Sequence, residues 1–189
     1  LPHPSRVWSL RHLGGRLTQT DTASSHGTRT ILFTDLEGST DLRVRLGDIL
    51  ANEVFTEHDQ LVRSHLAAGG GTDIKGLGDG FMALFSSASD AIETAVAIQR
   101  AIEEHNNAQP DRAMSVRMGL NSGDVTRREG EAHGTAVHAA ARVAAKAQGG
   151  QILVSQLASD LAGSLGKTKV VDRGLFWLKG FPDRWRLYE

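Results

Sequence analysis

Thr30-Ile31-Leu32-Phe33-Thr34-Asp35-Leu36-Glu37-Gly38-Ser39-Thr40, taken with Lys75-Gly76-Leu77-Gly78-Asp79-Gly80, decides how this chain is read. Each stretch ends an apolar run on one carboxylate beside glycine. A lone carboxylate is costly to bury, so a desolvated position next to a strand needs a compensating partner. Two carboxylates converging on one point repel unless a cation lies between them. Asp35 and Asp79 are therefore expected to form a hard-metal site. Read singly, Asp35 is an ordinary residue before a helix and Asp79 a routine turn residue. Their joint setting lifts them above that.

Outward from the first stretch, Thr28–Asp35 is β-branched and aromatic and reads as a buried strand. Gly38 then allows a tight turn, and Ser39 or Thr40 is placed to cap a helix. That helix carries Leu42, Leu46, Ile49, Leu50, Val54, Leu61, Val62 and Leu66 on a recurring face. Gly47-Asp48 is expected to split it, with Asp48 capping the second piece, and Gly69-Gly70-Gly71 to end it. Thr72–Leu77 and Phe81–Phe85 make a hairpin with Asp79 in its turn. Ser89 or Asp90 caps a second helix through Ile102 that ends near Asn106-Asn107 and Pro110.

Met114–Leu120 alternates Met114, Val116, Met118 and Leu120 with Ser115, Arg117 and Gly119, a half-buried strand extending toward Val125. Arg127–Glu131 reads as a charged loop and Gly134–Ala147 as an alanine-rich helix. Gln151–Val154 is a strand and Ser155–Ala162 a short helix. Val170–Val171, Leu175–Lys179 and Trp185–Tyr188 make a small sheet. The order β-α-β-β-α-β, then an αβ extension and that sheet, predicts an α+β fold with a ferredoxin-like core.

This domain is expected over residues 28–189. Residues 1–27, with Pro2, Pro4, Gly14, Gly15 and a Thr/Ser-rich tail, read as a flexible leader or linker with a short helix around Trp8. The chain begins at Leu1 rather than methionine, as a fragment, a processed chain or a renumbered one would.

The 189 residues suffice for one buried core, and 40% apolar with 23% charged residues is an ordinary globular balance. A net charge of −1 gives no reason to expect nucleic acid or a membrane surface as the main partner. The absence of cysteine excludes disulfides and zinc–thiolate sites and fits a reducing, cytoplasmic setting. No apolar run is long enough to span a bilayer.

Gly38 to Thr40 place backbone N–H groups at a helix N-terminus directly after Asp35, where free donors and the helix dipole favour an anion. A metal-binding carboxylate beside an anion site suggests a phosphate–metal complex, the usual form in which Mg²⁺ meets a protein. Arg142 lies one helical turn beyond His138, so both project from one face, and a guanidinium there suits phosphate oxygens. Lys75 and Lys179 are further candidates.

Four motifs in this order carry a resemblance: Phe33-Thr34-Asp35-Leu36-Glu37-Gly38-Ser39-Thr40, Lys75-Gly76-Leu77-Gly78-Asp79-Gly80, Gly134-Thr135-Ala136-Val137-His138-Ala139-Ala140-Ala141-Arg142 and Leu178-Lys179-Gly180. Together they resemble the catalytic domain of the class III nucleotide cyclases in its short bacterial form. The resemblance implies an adenylate cyclase that converts ATP to 3′,5′-cyclic AMP and pyrophosphate. It implies that Asp35 and Asp79, helped by the Leu36 carbonyl, hold two divalent cations, Mg²⁺ or Mn²⁺. Lys75 matches the purine-reading lysine, where guanine readers typically carry Glu. Arg142 matches the transition-state arginine and Lys179 the lysine that reaches the terminal phosphates. The family works as a head-to-tail dimer, so Lys75, Arg142 and Lys179 would serve the metals of a second copy.

Three positions depart from the common pattern. Glu131 stands where the second purine reader is often Asp, and a shift of about 1 Å from the extra methylene would cost severalfold in rate. His138 stands where many members place a ribose-orienting Asn. Asp124 stands where some members have a phosphate-binding arginine, which would leave a gap in triphosphate binding. These departures motivate an alternative of another class, a degenerate domain that binds nucleotide as a regulatory or dimerisation module. Guanylate cyclase is disfavoured by Lys75. A diguanylate cyclase shares the core topology, but its acidic Gly-Gly-Asp/Glu hairpin signature is missing from the sequence.

Overall fold

The computed structural model describes residues 26–128, 131–163 and 168–189, the side chain of Asp73 excepted. The leader expected over residues 1–27 lies outside them for all but its last two residues. Those two already belong to the first strand, β1 (His26–Leu36). After it come α1 (Ser39–Ala68), β2 (Thr72–Gly76), β3 (Gly80–Phe85), α2 (Ala88–Ala108) and a 3₁₀ turn (Pro110–Arg112). β4 (Val116–Arg128), β5 (Glu131–His133), α3 (Thr135–Ala144), β6 (Ile152–Ser155), α4 (Gln156–Ala162), β7 (Asp172–Trp177) and β8 (Arg184–Tyr188) complete the chain.

One sheet runs in the order β2-β3-β1-β4-β6-β8-β7, with β5 paired to β4. β1 lies antiparallel between β3 and β4, and β4 and β6 are parallel. The ferredoxin-like α+β core is as the element order predicts.

Period-two alternation explains how the sheet is buried. Leu32, Phe81, Phe85, Val116, Met118 and Leu120 face α1 and α2 in the main core. Ile31, Met82 and Leu84 turn the other way, against Ala140 of α3. β3 is thus buried on both faces, which is why Phe81–Phe85 reads as an unbroken apolar run. The two-sided burial makes the end of β1, where Asp35 sits, a fixed platform.

Four local expectations are corrected. Gly38, not Ser39 or Thr40, is the N-cap of α1, with φ 69° and no side-chain cap. α1 does break at Gly47, whose φ and ψ are 75° and 164°, but the Asp48 carboxylate accepts from Arg43. The loop expected at Arg127–Glu131 is shorter, because β4 runs on to Arg128 and pairs with β5 in a hairpin. The small C-terminal sheet is not separate: β8 pairs with β6, so β7 and β8 extend the main sheet.

Candidate active site

The end of β1 and the β2–β3 hairpin meet through the backbone. Asp35 stands opposite Gly80 in the ladder, and the Leu36 N–H donates to the Asp79 carbonyl at 3.0 Å. The backbones that carry the two expected carboxylates are therefore brought together by segments more than forty residues apart in sequence, with Asp79 lining a cleft against α1 and Asp35 a smaller one against α3.

Each carboxylate already has a donor. Arg117, opposite Asp35 on β4, gives its Nε–H to Asp35 Oδ2 at 2.7 Å, and Nη2 closes a second contact. The Ser39 hydroxyl donates to Asp79 Oδ2 at 2.6 Å. So Ser39, which sequence reasoning gave a capping role, instead fixes the hairpin carboxylate against α1. The first-turn amides of α1 carry no side-chain cap and are open to an anion. Leu36, Ser39, Thr40, Gly78 and Asp79 line one end of a cleft of about 460 Å³ that continues along α1 past Arg43, Asn52 and Phe55.

Glu37 takes a different part from the rest of its motif. Its Oε2 accepts the Gly149 N–H at 2.9 Å, and its own N–H donates to the Ser115 carbonyl at 2.7 Å. Its side chain is therefore engaged by the loop after α3 and its amide by the residue before β4, so neither is free for a ligand.

His58 of α1 lies under this corner, 1% exposed, with its ring 6.1 Å from that of Phe81. Burial lowers its pKa below the usual histidine value. The hydrogen bond to Asp59 and the charges of Asp59, Asp79 and Asp35 pull weakly the other way. Its Nδ1 lies 3.2 Å from Asp59, and Nε2 has no partner among the described residues. It lies buried beside the carboxylates as a neutral ring.

The remaining candidates fall in two groups. Lys75 Nζ lies 3.2 Å from Glu131 Oε1, joining β2 to the start of β5. His138, Arg142 and Lys179 are exposed and make no side-chain hydrogen bond or ion pair among the described residues. Asp124 is removed from the carboxylate corner: it pairs in register with Thr28, whose hydroxyl it accepts at 2.8 Å. Asp35 pairs with Arg117 at the other end of the same ladder, about 23 Å away at the usual strand rise.

Sequence reasoning missed Arg117 and His58. Arg117 was legible as one of the residues alternating with the apolar face of Met114–Leu120, but its partner across the strand was not. His58 gave no signal beyond an apolar helix face.

Chemically, two carboxylates with no third His, Cys, Asp or Glu to complete a cage among the described residues offer a sparse, all-oxygen donor set. Such a set suits a hard divalent cation that keeps water and takes its other ligands from a phosphate. Asp35 draws the Arg117 guanidinium and Asp79 the Ser39 hydroxyl, the response of carboxylates that also suit a hard cation, so the residues fit the group.

Residues 22–188 match the model of the adenylate and guanylate cyclase catalytic domain. An adenylate cyclase of Podospora anserina is 34% identical over 154 residues, 68% of this chain but 7% of that protein's length. The adenylyl cyclase CyaB from P. aeruginosa superposes with a TM-score of 0.80 at 21% identity, covering 88% of this chain and 94% of that one. An adenylate/guanylate cyclase/hydrolase from Silicibacter pomeroyi gives 0.78 at 28% identity, covering 88% and 97%. The chain thus spans a small part of the fungal relative and nearly all of the two solved domains.

Proposed function

Because the chain belongs to the adenylate and guanylate cyclase catalytic domain family, we propose that it is an adenylate cyclase catalytic domain, residues 28–189, that converts ATP to 3′,5′-cyclic AMP and pyrophosphate as a head-to-tail homodimer. The observation that carries the choice of base is the Lys75–Glu131 contact at 3.2 Å. A fixed ammonium donor beside a carboxylate acceptor complements the adenine edge, which offers an acceptor at N1 and a donor at the 6-amino group. Guanine presents the reverse pattern at the corresponding positions.

Asp35, Asp79 and the Leu36 carbonyl would hold two cations, Mg²⁺ or Mn²⁺. Bound there, the cations supply the charge that acidifies the ribose 3′-hydroxyl and neutralises the triphosphate. The uncapped amides from Gly38 to Thr40 hold phosphate oxygens, with Glu37 fixing the turn that presents them through its contacts to Ser115 and Gly149. Arg142 of the partner subunit faces the α-phosphoryl group as the 3′-oxygen–phosphorus bond forms and the bond to the leaving pyrophosphate breaks. Lys179 of the partner subunit holds the terminal phosphates, and the partner's His138 donates to the ribose. Side chains at 138, 142 and 179 that are exposed and without a partner among the described residues support this reading, since they are free to reach a second chain.

The test mixes an Asp35→Ala chain with an Arg142→Ala chain, each inactive alone. Recovered cyclic-AMP synthesis supports the shared site; a mixture as dead as its parts overturns it. A second reading, a nucleotide-binding regulatory or dimerisation module, is favoured by one observation: Arg117 pairs with Asp35 and so competes with a cation for it. Cyclic-AMP production from ATP and Mn²⁺ at fixed protein concentration separates the two.

A further inference from the structure

Three alternate residues of β4 make a seat for α3. A Cβ at Gly119 would stand 2.1 Å from the Ala144 nitrogen, and one at Gly123 would stand 2.8 Å from the Ala136 Cβ. The helix therefore rests on bare backbone at both ends of its footprint. Between them lies Asn121, 2% exposed. Its amide donates to the Ala136 carbonyl at 3.0 Å and accepts the Ser155 hydroxyl at 2.7 Å. Ser155 Oγ accepts the Ala158 N–H at 3.3 Å as the cap of α4, so its proton is committed to Asn121. That proton decides which way the amide lies. A primary amide is the small group that accepts on one side and donates on the other, and a buried network with every member satisfied holds its parts rigidly.

Ala136 is in the first turn of α3, and His138 and Arg142 follow on its exposed face. Neither has a side-chain partner among the described residues, so their placement is set by the helix alone. α3 has only ten residues, too few to hold a fixed shape without tertiary contacts.

We propose that Asn121, oriented by Ser155, is a positioning residue: it fixes the rotation and depth of α3 on the sheet, and with them the point at which Arg142 and His138 meet the substrate held by a second chain. This rests on the shared-site reading above. Misplacement of a catalytic group by 1 Å costs from severalfold up to about a hundredfold in rate, so one buried amide suffices to matter.

Asn121→Asp keeps the shape but sets an acceptor against the Ala136 carbonyl. The expected result is a kcat at least about tenfold lower with the KM for ATP little changed, and faster hydrogen exchange in α3 than in α1. Mixing locates the fault. With an Asp35→Ala chain, the one working site takes its carboxylates from the Asn121→Asp chain and its Arg142 from the other, so activity returns to the level of the Asp35→Ala plus Arg142→Ala control. With an Arg142→Ala chain it stays low. The opposite pattern, or rescue by neither chain while the control recovers, overturns the proposal. A silent control removes the shared-site reading itself, and this proposal with it. Ser155→Ala, which frees the amide without burying a charge, should give the same pattern more mildly and serves where Asn121→Asp does not fold.

Discussion

Arg117 grips Asp35 across the β1–β4 ladder, Nε to Oδ2 at 2.7 Å, and so does for the carboxylate what a cation would do. Both side chains are about one-third exposed, so the pair itself contributes at most about 1 kcal/mol. Its larger effect is on charge. Arg117→Met leaves the Asp35 carboxylate without its charged donor. The metal-free variant is expected to melt a few degrees lower, and Mn²⁺ to raise its melting temperature more than that of the wild type. Equal Mn²⁺-induced shifts would show that Arg117 and the ion do not share Asp35.

On the proposed reading, base choice depends on the pair Lys75–Glu131. ATP is expected to be turned over in preference to GTP under Mn²⁺. Lys75→Ala should lower kcat/KM for ATP by about 10- to 100-fold, the range for losing a hydrogen bond from a charged group. Steady-state rates with both nucleotides check this. Equal or reversed preference in the wild type would remove Lys75 and Glu131 from the base site.

Gly80 allows the hairpin to lie against β1. A Cβ there would approach the Thr34 carbonyl oxygen to 2.1 Å, a backbone atom that cannot swing aside. Gly80→Ala is expected to cost about 2 kcal/mol or more in chemical denaturation, as overpacking does. It should also abolish synthesis, because Asp79 precedes the displaced residue. A variant of wild-type stability would show that the strands separate freely here.

His58 links stability to acidity. Its folded-state pKa lies below the unfolded value of about 6.5. As pH falls through that value the unfolded chain takes up a proton that the folded chain refuses. Stability therefore falls from about pH 6.5 downward until the buried ring also protonates. His58→Leu should flatten the decline between about pH 7 and pH 5, measured by urea unfolding; an unchanged slope would mean that other groups set it.

How far the residues announced all this depended on whether the signal was local. Thr28–Asp35, the hairpin around Gly78-Asp79-Gly80 and the β-α-β-β-α-β order were visible because strand alternation, glycine turns and helix periodicity act over a few residues. That Lys75 and Glu131 act together was an implication of motif likeness, and the two lie 3.2 Å apart. Arg117 was hidden because its meaning lies in strand register, which places it opposite Asp35 and appears in no single segment. Ser39 was misjudged for a related reason. Its hydroxyl had two possible uses, the helix terminus or a carboxylate forty residues away, and only the approach of the hairpin settles between them. Val170–Val171 fared no better: the strand forms at Asp172–Trp177, while Val171 exchanges backbone hydrogen bonds with Glu189.

Lys75 and Asp79 sit on one short hairpin, the lysine tied to Glu131 and the aspartate to Ser39. In the shared-site dimer the two residues belong to different reaction centres. The hairpin is then a rocker with an end in each. A purine seated at one end would then be linked through the hairpin backbone to the carboxylate at the other. Two such hairpins, one per chain, would make the proposed dimer a pair of coupled centres rather than two independent ones. The expected signature is deviation from hyperbolic ATP dependence, which should vanish in the mixed Asp35→Ala and Arg142→Ala dimer, where a single centre remains.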